Sequence, residues 1–225
     1  MKPSVVLAET LLPDRTKLSL RTHDGHFHIR VGGELLMSTT ATHSEAQMAE
    51  LAVPAVSGGG PRRVLIGGLG FGFTLRHMLE LTGPEVKVQV AELLPVMVAW
   101  NREHLTSVNG RLVDDPRVEI IVDDVFAVLT RAPRGTYDAV LLDVDNGPEA
   151  LVDPGNARIY ADPGLAILAR ALRKGGRAVF WSGVEDRGFE ERLRDAGFEA
   201  ESKSAKAYPQ AKRKTHTLFI ADWNG

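Results

Sequence analysis

Four closely spaced glycines, Gly67, Gly68, Gly70 and Gly72, and the acids Glu92, Asp124, Asp143 and Asp145 are where this sequence could do chemistry. The glycines follow directly on the apolar run Val64-Leu65-Ile66, and residues 73–81 after them read as a helix. A strand, a glycine turn and a helix bring bare backbone N–H groups and a positive helix end against a nucleotide-like ligand. Glycine serves there because a Cβ would block the ligand and because such turns often use positive φ. Glu92 can accept hydrogen bonds from both hydroxyls of a ribose, and Asp124 can accept from an adenine amino group. Asp143 and Asp145, in Leu-Leu-Asp-Val-Asp-Asn-Gly-Pro, can take a proton or hold an amine. Acids after three successive strands, together with the glycine turn, point to an adenosine-type cofactor.

Positioning these residues takes a repeated alternation of strand and helix. Strands are expected at 64–66, at 86–91 ending in Glu92, at 118–122 ending in Asp123-Asp124, at 137–142 ending in Asp143, and at 177–181. Helices are expected at 95–105, 125–130, 163–173 and 186–196, the third stopped by Gly175-Gly176. Strands at 198–202 and 215–221 close the chain. This is the pattern of a doubly wound α/β sheet of Rossmann-like type, with ligands beyond the carboxyl ends of its strands. The first 45 residues differ. Residues 17–21 and 27–31 alternate, Asp24-Gly25 and Gly32-Gly33 are turn dipeptides, and 34–40 reads as a third strand. A small antiparallel β meander over 1–45 is therefore expected to precede a catalytic domain over 46–225. Ser44 reads as the N-cap of a helix over 44–53, and 54–61 as a linker.

Composition narrows the function classes. A net charge of −2 over 225 residues argues against a nucleic-acid or membrane-surface binder. No cysteine is present, so thiolate chemistry, disulfides and cysteine metal sites are excluded. No apolar run approaches the roughly 18 residues a membrane span needs. The N-terminus has no basic start with a long apolar core, so a cytoplasmic protein is the expectation. His26 and His28 share a strand face, but no further ligand sits at a matching spacing, and no metal site is expected. Lys203, Lys206, Lys212, Arg213, Lys214 and His216 around Tyr208-Pro209 read as a solvated hairpin, whose other use would be to select an anionic acceptor. Trp100, Phe126 and Trp181 read first as core, with adenine stacking as the other use.

The glycine spacing also bears on which adenosine cofactor. A dinucleotide fingerprint, Gly-x-Gly-x-x-Gly, fails in either register: counted from Gly68 its third glycine falls on Phe73, and counted from Gly67 its second falls on Leu69. A loop that approaches a ribose and a charged sulfonium tail, without a pyrophosphate, fits better.

With these residues in place, positions 63–179 resemble the spermidine synthase family of aminopropyltransferases, within the class I S-adenosylmethionine-dependent transferases. Ile66-Gly67-Gly68-Leu69-Gly70-Phe71-Gly72 resembles that family's Ile-Gly-Gly-Gly-Asp-Gly-Gly loop, and Glu92-Leu93-Leu94 its Glu-Ile-Asp. Asp115-Pro116-Arg117-Val118 and Asp123-Asp124 follow its Asp-Pro-Arg-Val and Gly-Asp-Gly, and 143–148 its catalytic loop. The resemblance implies a class I methyltransferase sheet behind a small β domain, and a homodimer. It implies S-adenosylmethionine or its decarboxylated form as cofactor, held by Gly67, Gly68, Gly70, Gly72, Glu92, Asp123, Asp124 and Asp143.

The departures from the family are informative. Gly70 and Leu94 stand where the family has aspartates, and 44–50 has no clear match to its Tyr-His-Glu segment. The shorter catalytic loop puts the catalytic aspartate position on Asn146 or, with an earlier gap, on Asp145. The nucleoside half of the site is better kept than the polyamine half. The sequence therefore favours a methyltransferase using S-adenosylmethionine on a small-molecule or peptide amine. Asp143 or Asp145 would take the proton and Asn146 would orient the nucleophile. The alternatives are an aminopropyltransferase using decarboxylated S-adenosylmethionine and a polyamine, and a non-catalytic nucleoside-binding regulatory protein.

Overall fold

Alternating side chains separated by glycine turns need only hairpins to pair, and the N-terminal segment folds in that way. A computed structural model describes residues 3–58, 60–144, 154–183, 186–206, 208 and 216–225. Strands β1 (Val5–Leu11), β2 (Lys17–His23), β3 (His26–Val31) and β4 (Glu34–Ser38) form an antiparallel sheet in that order. Asp24 and Gly25 have φ of 50° and 83°, and Gly32 and Gly33 have 58° and 93°, the signs a type I′ hairpin requires. Leu18, Leu20 and Ile29 point inward and are fully buried against Phe71, Phe73, Met97 and Trp100. The meander thus forms a roof over the glycine turn. Strand β1 escapes the alternation rule because it is an edge. Val5, Val6, Leu7 and Leu11 are all exposed, so no buried face imposes a period of two.

The second sheet has seven strands in the order β10-β11-β9-β8-β5-β6-β7. These are β5 (Arg62–Gly67), β6 (Val86–Ala91), β7 (Val118–Ile121), β8 (Tyr137–Leu142), β9 (Leu172–Ser182), β10 (Glu199–Ala205) and β11 (His216–Trp223). Strands β5 to β9 run parallel, and β11 pairs antiparallel with both β9 and β10. The helices are α1 (His43–Val56), α2 (Phe73–Leu81), α3 (Pro95–Glu103), α4 (Thr106–Asn109), α5 (Val125–Arg131), α6 (Asp162–Ala171) and α7 (Arg187–Asp195). Among the described residues, no helix is long and apolar enough to cross a membrane.

Each central strand is buried on both faces, which explains its uninterrupted apolar run. Val64 and Ile66 pack under Met48 and Ala52 of α1 and Leu75 and Met78 of α2. Leu65, between them, belongs to the core on the other side, which Val128 of α5, Leu168 of α6 and Leu193 of α7 also build. The chain leaves β5 toward β6 and β7 on one side and returns to β8 and β9 on the other. The switch point therefore lies between the carboxyl ends of β5 and β8, where doubly wound sheets open a crevice.

Three local expectations are corrected. Helix α1 starts at His43, so Ser44 is inside its first turn and donates its hydroxyl to Glu45 Oε2 at 2.7 Å instead of capping. The same helix runs through Pro54 to Val56, because the apolar face of α1 continues that far. Gly175 and Gly176 lie within β9 and do not stop α6, which ends at Ala171.

At the amino end of β8, Asp138 is buried and ties three elements. It accepts from Arg62 Nη1 at 3.0 Å and from the Arg63 backbone N–H at 2.8 Å, and pairs with Arg173 Nη1 at 2.7 Å. Removing one partner of such a cluster leaves buried groups uncompensated, at a cost of about 3–5 kcal/mol. Urea unfolding should therefore show a loss of that size for Asp138→Ala, whereas Arg173→Ala, a much more exposed partner, should lose about 1 kcal/mol or less.

Candidate functional site

The glycine turn is held from below by strand ends and from the side by two asparagines. The Gly68 N–H donates to the Ala91 carbonyl at 2.8 Å, and the Asp143 N–H donates to the Gly67 carbonyl at 3.1 Å. Gly68 has φ of +90°, and a Cβ there would fall on the Asp143 carbonyl oxygen. Gly72 begins α2 with φ of +85°, and a Cβ there would meet Leu112 Cδ2 at 2.9 Å. Asn101 on α3 donates to the Gly70 carbonyl at 2.9 Å, and Asn109 on α4 donates to the Phe71 carbonyl at 2.5 Å. Neither asparagine was legible beforehand, since nothing in a lone amide announces a distant carbonyl. Gly70 lies under the roof, with Met37 Sδ 3.4 Å from where its Cβ would be.

Glu92 is buried just past β6. Its two carboxylate oxygens accept from the Leu69 and Leu94 backbone N–H groups, each at 2.8 Å. A carboxylate can accept several hydrogen bonds, and these two fix its orientation at the cavity wall. Asp124 caps α5 by accepting from the Ala127 N–H at 2.8 Å, and its other oxygen meets Arg158 Nη2 at 2.8 Å. The Arg158 guanidinium lies 4.5 Å from the Phe126 ring centroid. An adenine amino group at Asp124 would have to share it with Arg158. Asp123 points to the surface, outside the cavity, where it accepts from Arg131 and from the Asp124 N–H. Its hydrogen bond with Arg131 holds its carboxyl below the usual range.

These residues surround a cavity of about 360 Å³, roofed by Leu35, Leu36 and Met37 of the N-terminal sheet. Asp143 sits deep among protein atoms at its base, open only toward the cavity. Burial pushes its carboxyl up to about 7, and the nearby Glu45 charge adds to the rise. Thr74 Oγ1, 3.4 Å away, opposes it weakly. Glu45 lies in the first turn of α1 on the same wall, and burial raises its carboxyl too. Glu45 was missed in the sequence, where 44–50 matched no motif; the only signal was an acid in the first turn after the meander. Trp181 and His216 complete the wall, their rings tilted and 4.7 Å apart. Trp100 is core under the meander. Among the described lining residues there is no lysine or arginine. Asp145 and Asn146 lie outside the described residues.

A switch-point crevice with a glycine turn and strand-end acids gives the chain a class I methyltransferase-like α/β fold. Within it, the spermine/spermidine synthase domain model matches residues 46–189, and the chain belongs to that family. It is 38% identical over 145 residues to a polyamine aminopropyltransferase of Mycobacterium tuberculosis, covering 63% of this chain and 27% of that protein. It is 32% identical over 160 residues to the polyamine aminopropyltransferase of Aeropyrum pernix, covering 66% of this chain and 48% of that protein. Putrescine N-methyltransferase 1 of Nicotiana tabacum is 35% identical over 118 residues, 52% of this chain and 29% of that one. The chain thus spans about a quarter to a half of the length of these curated relatives. The spermidine synthase of Thermotoga maritima shares the fold, with a TM-score of 0.74 at 17% identity over 98% of this chain and 73% of that one.

Burying Asp143 has a consequence for stability. Its carboxyl binds a proton more tightly in the folded chain, at about 7, than in the unfolded chain, at the ordinary 3.8. The contribution of this group is fully present below about pH 4 and is lost as pH rises through about 7. Asp143→Asn removes that loss. Thermal and urea unfolding should find the variant more stable than wild type by roughly 2 to 4 kcal/mol at pH 8, with the gap closing toward pH 4.

Proposed function

We propose that this chain transfers an aminopropyl group from decarboxylated S-adenosylmethionine to an amine. The observation that carries the reading is the sign of the cavity: two neighbouring carboxylates, Asp143 and Glu45, face it, and the described lining holds no cationic side chain. A donor tail ending in an ammonium suits that field. A tail ending in the carboxylate of intact S-adenosylmethionine would meet like charge across a low-dielectric gap. The site suits the nucleoside as well, since Glu92 lines the cavity at a strand end and Gly68 puts no side chain in the ligand's way. Support also comes from relatives described as polyamine aminopropyltransferases and from a spermidine synthase of like fold in complex with the transition-state analogue AdoDATO, with a TM-score of 0.73.

When bound, the donor supplies a propyl carbon activated by a sulfonium; the amine nitrogen bonds to that carbon while the C–S electron pair stays on sulfur. The chain's own residues position and deprotonate. Glu92, fixed by two backbone N–H groups, holds the ribose. Asp143 and Glu45 hold ammonium groups by charge. With a carboxyl at about 7, Asp143 is poised to take the amine's proton near neutral pH. The bulk of the acceleration would come from alignment, as expected for an in-line displacement.

A second reading, methyl transfer, is kept because the putrescine N-methyltransferases match at 35% identity and because Gly70 leaves the loop without a carboxylate. Calorimetric titration with S-adenosylmethionine, its decarboxylated form and 5′-methylthioadenosine separates the two. The decarboxylated form should bind at least tenfold tighter than S-adenosylmethionine, and Asp143→Asn should erase most of that preference while leaving 5′-methylthioadenosine nearly unchanged. Tighter binding of S-adenosylmethionine would reverse the choice in favour of methyl transfer.

A further inference from the structure

Asp124 lines the cavity and caps α5, and its two carboxylate oxygens have different partners. Oδ1 accepts from the Ala127 N–H at 2.8 Å, and Oδ2 meets Arg158 Nη2 at 2.8 Å. The first bond alone would let the carboxylate turn about its soft Cβ–Cγ torsion; the second fixes its plane. Arg158 is held in turn. Its guanidinium lies 4.5 Å from the ring centroid of Phe126, the second residue of α5. It sits in the short 3₁₀ helix Pro154–Tyr160, and the next two residues, Ile159 and Tyr160, are buried. Tyr160 packs edge-on against Phe189 at 5.2 Å. Gly164 of α6 comes so close to the Arg158 carbonyl that a Cβ there would overlap it. Arg158 does not itself line the cavity, so it reaches a ligand only through Asp124. No motif in the sequence singles it out.

We propose that Arg158 is a positioning residue for nucleobase selection, holding the Asp124 carboxylate in the orientation that accepts the exocyclic amino group of adenine. An ionised carboxylate only accepts hydrogen bonds. It therefore suits an amino group and opposes the carbonyl that hypoxanthine carries in the same place. Arg158 and the base do not exclude each other, because one carboxylate can accept several hydrogen bonds. The planar guanidinium fork suits the task, since it grips a carboxylate oxygen while stacked on a ring. Its stack on Phe126 ties the orientation to α5, the helix that Asp124 caps. Arg158 is about half exposed, so the fold depends on it far less than the carboxylate's direction does. The inference rests on the nucleoside-binding reading above and adds to it the choice of base.

The test titrates the full chain by calorimetry with 5′-methylthioadenosine and 5′-methylthioinosine, which differ only in an amino group or a carbonyl on the base. Wild type should prefer the adenosine by roughly thirtyfold, the scale set by leaving a buried polar group unpaired. In Arg158→Ala the adenosine should bind about tenfold more weakly and the inosine within about twofold of wild type, with the melting temperature little changed. Arg158→Lys keeps the charge without the fork or the stack and should recover only part of the loss. Asp124→Asn still caps α5, and adding Arg158→Ala to it should cost less than about twofold, because the arginine acts through that carboxylate. A merely structural Arg158 would weaken both nucleosides alike. Equal weakening of the two, unchanged or tighter adenosine binding in Arg158→Ala, or an undiminished effect in the Asp124→Asn background overturns the assignment of Arg158 and leaves the transferase reading intact. A wild type that binds both nucleosides equally overturns adenine recognition at Asp124 together with this inference. A wild type that binds neither overturns the proposed function itself.

Discussion

The close approach of the Gly68 backbone to the Asp143 carbonyl is the constraint on which the rest of the site depends. Strands β5 and β8 are neighbours whose onward connections leave in opposite directions, so their carboxyl ends must part to make a crevice. They part over the width of one peptide. Any Cβ at Gly68 would fill that width, while the Gly67 carbonyl and the Asp143 N–H bind across it. Glu92 then pins the next residue of the turn through the Leu69 N–H, and the Asn101 and Asn109 amides pin the two carbonyls after that. The glycine-rich segment is held as a defined edge because the Gly68, Leu69 and Gly72 N–H groups and the Gly67, Leu69, Gly70 and Phe71 carbonyls each have a fixed partner. Rigidity of this kind is what an in-line displacement requires of a protein.

The same geometry sets the electrostatics. Asp143 extends from the end of a fully buried strand, so its carboxylate meets a cavity wall with little water to solvate it. Glu45 arrives from α1, an element that packs on the other side of β8 and β9, and brings a second carboxylate into the same space. Two like charges in a dry site oppose folding, and the buried faces of the central strands offset that cost. The destabilising pair and the candidate chemistry are one feature: a site that repels itself when empty attracts cations when filled.

The meander is part of the site, not an appendage. Leu18, Leu20 and Ile29 seat it on Phe71, Phe73 and Met97, and this places Met37 over Gly70 and Leu35 and Leu36 along the cavity roof. At the opposite wall, antiparallel β11 brings His216 next to Trp181. The cavity is thus closed by the two most distant parts of the chain. Residues that line it from those parts, Met37 and His216, have no local pattern in common with the glycine turn.

Sequence alone determined the parallel strands, their order along the chain, the glycine turn and the acids at three strand ends. Each follows from short-range physics: double burial makes a strand uniformly apolar, a positive φ selects glycine, and a strand's end must turn polar. The roof was legible as a meander through its Asp-Gly and Gly-Gly turns, but edge strand β1 was not, because no buried face disciplined its residues. Only the tertiary structure decided which acids share a space. It turned Asp123 to the surface, engaged Asp124 with Arg158, and set Glu45 beside Asp143 across a long stretch of chain. It also brought His216 to the cavity and left the described lining without a cationic side chain. Those outcomes depend on distances between residues remote in sequence, and on the loss of water between them, which no local spacing encodes.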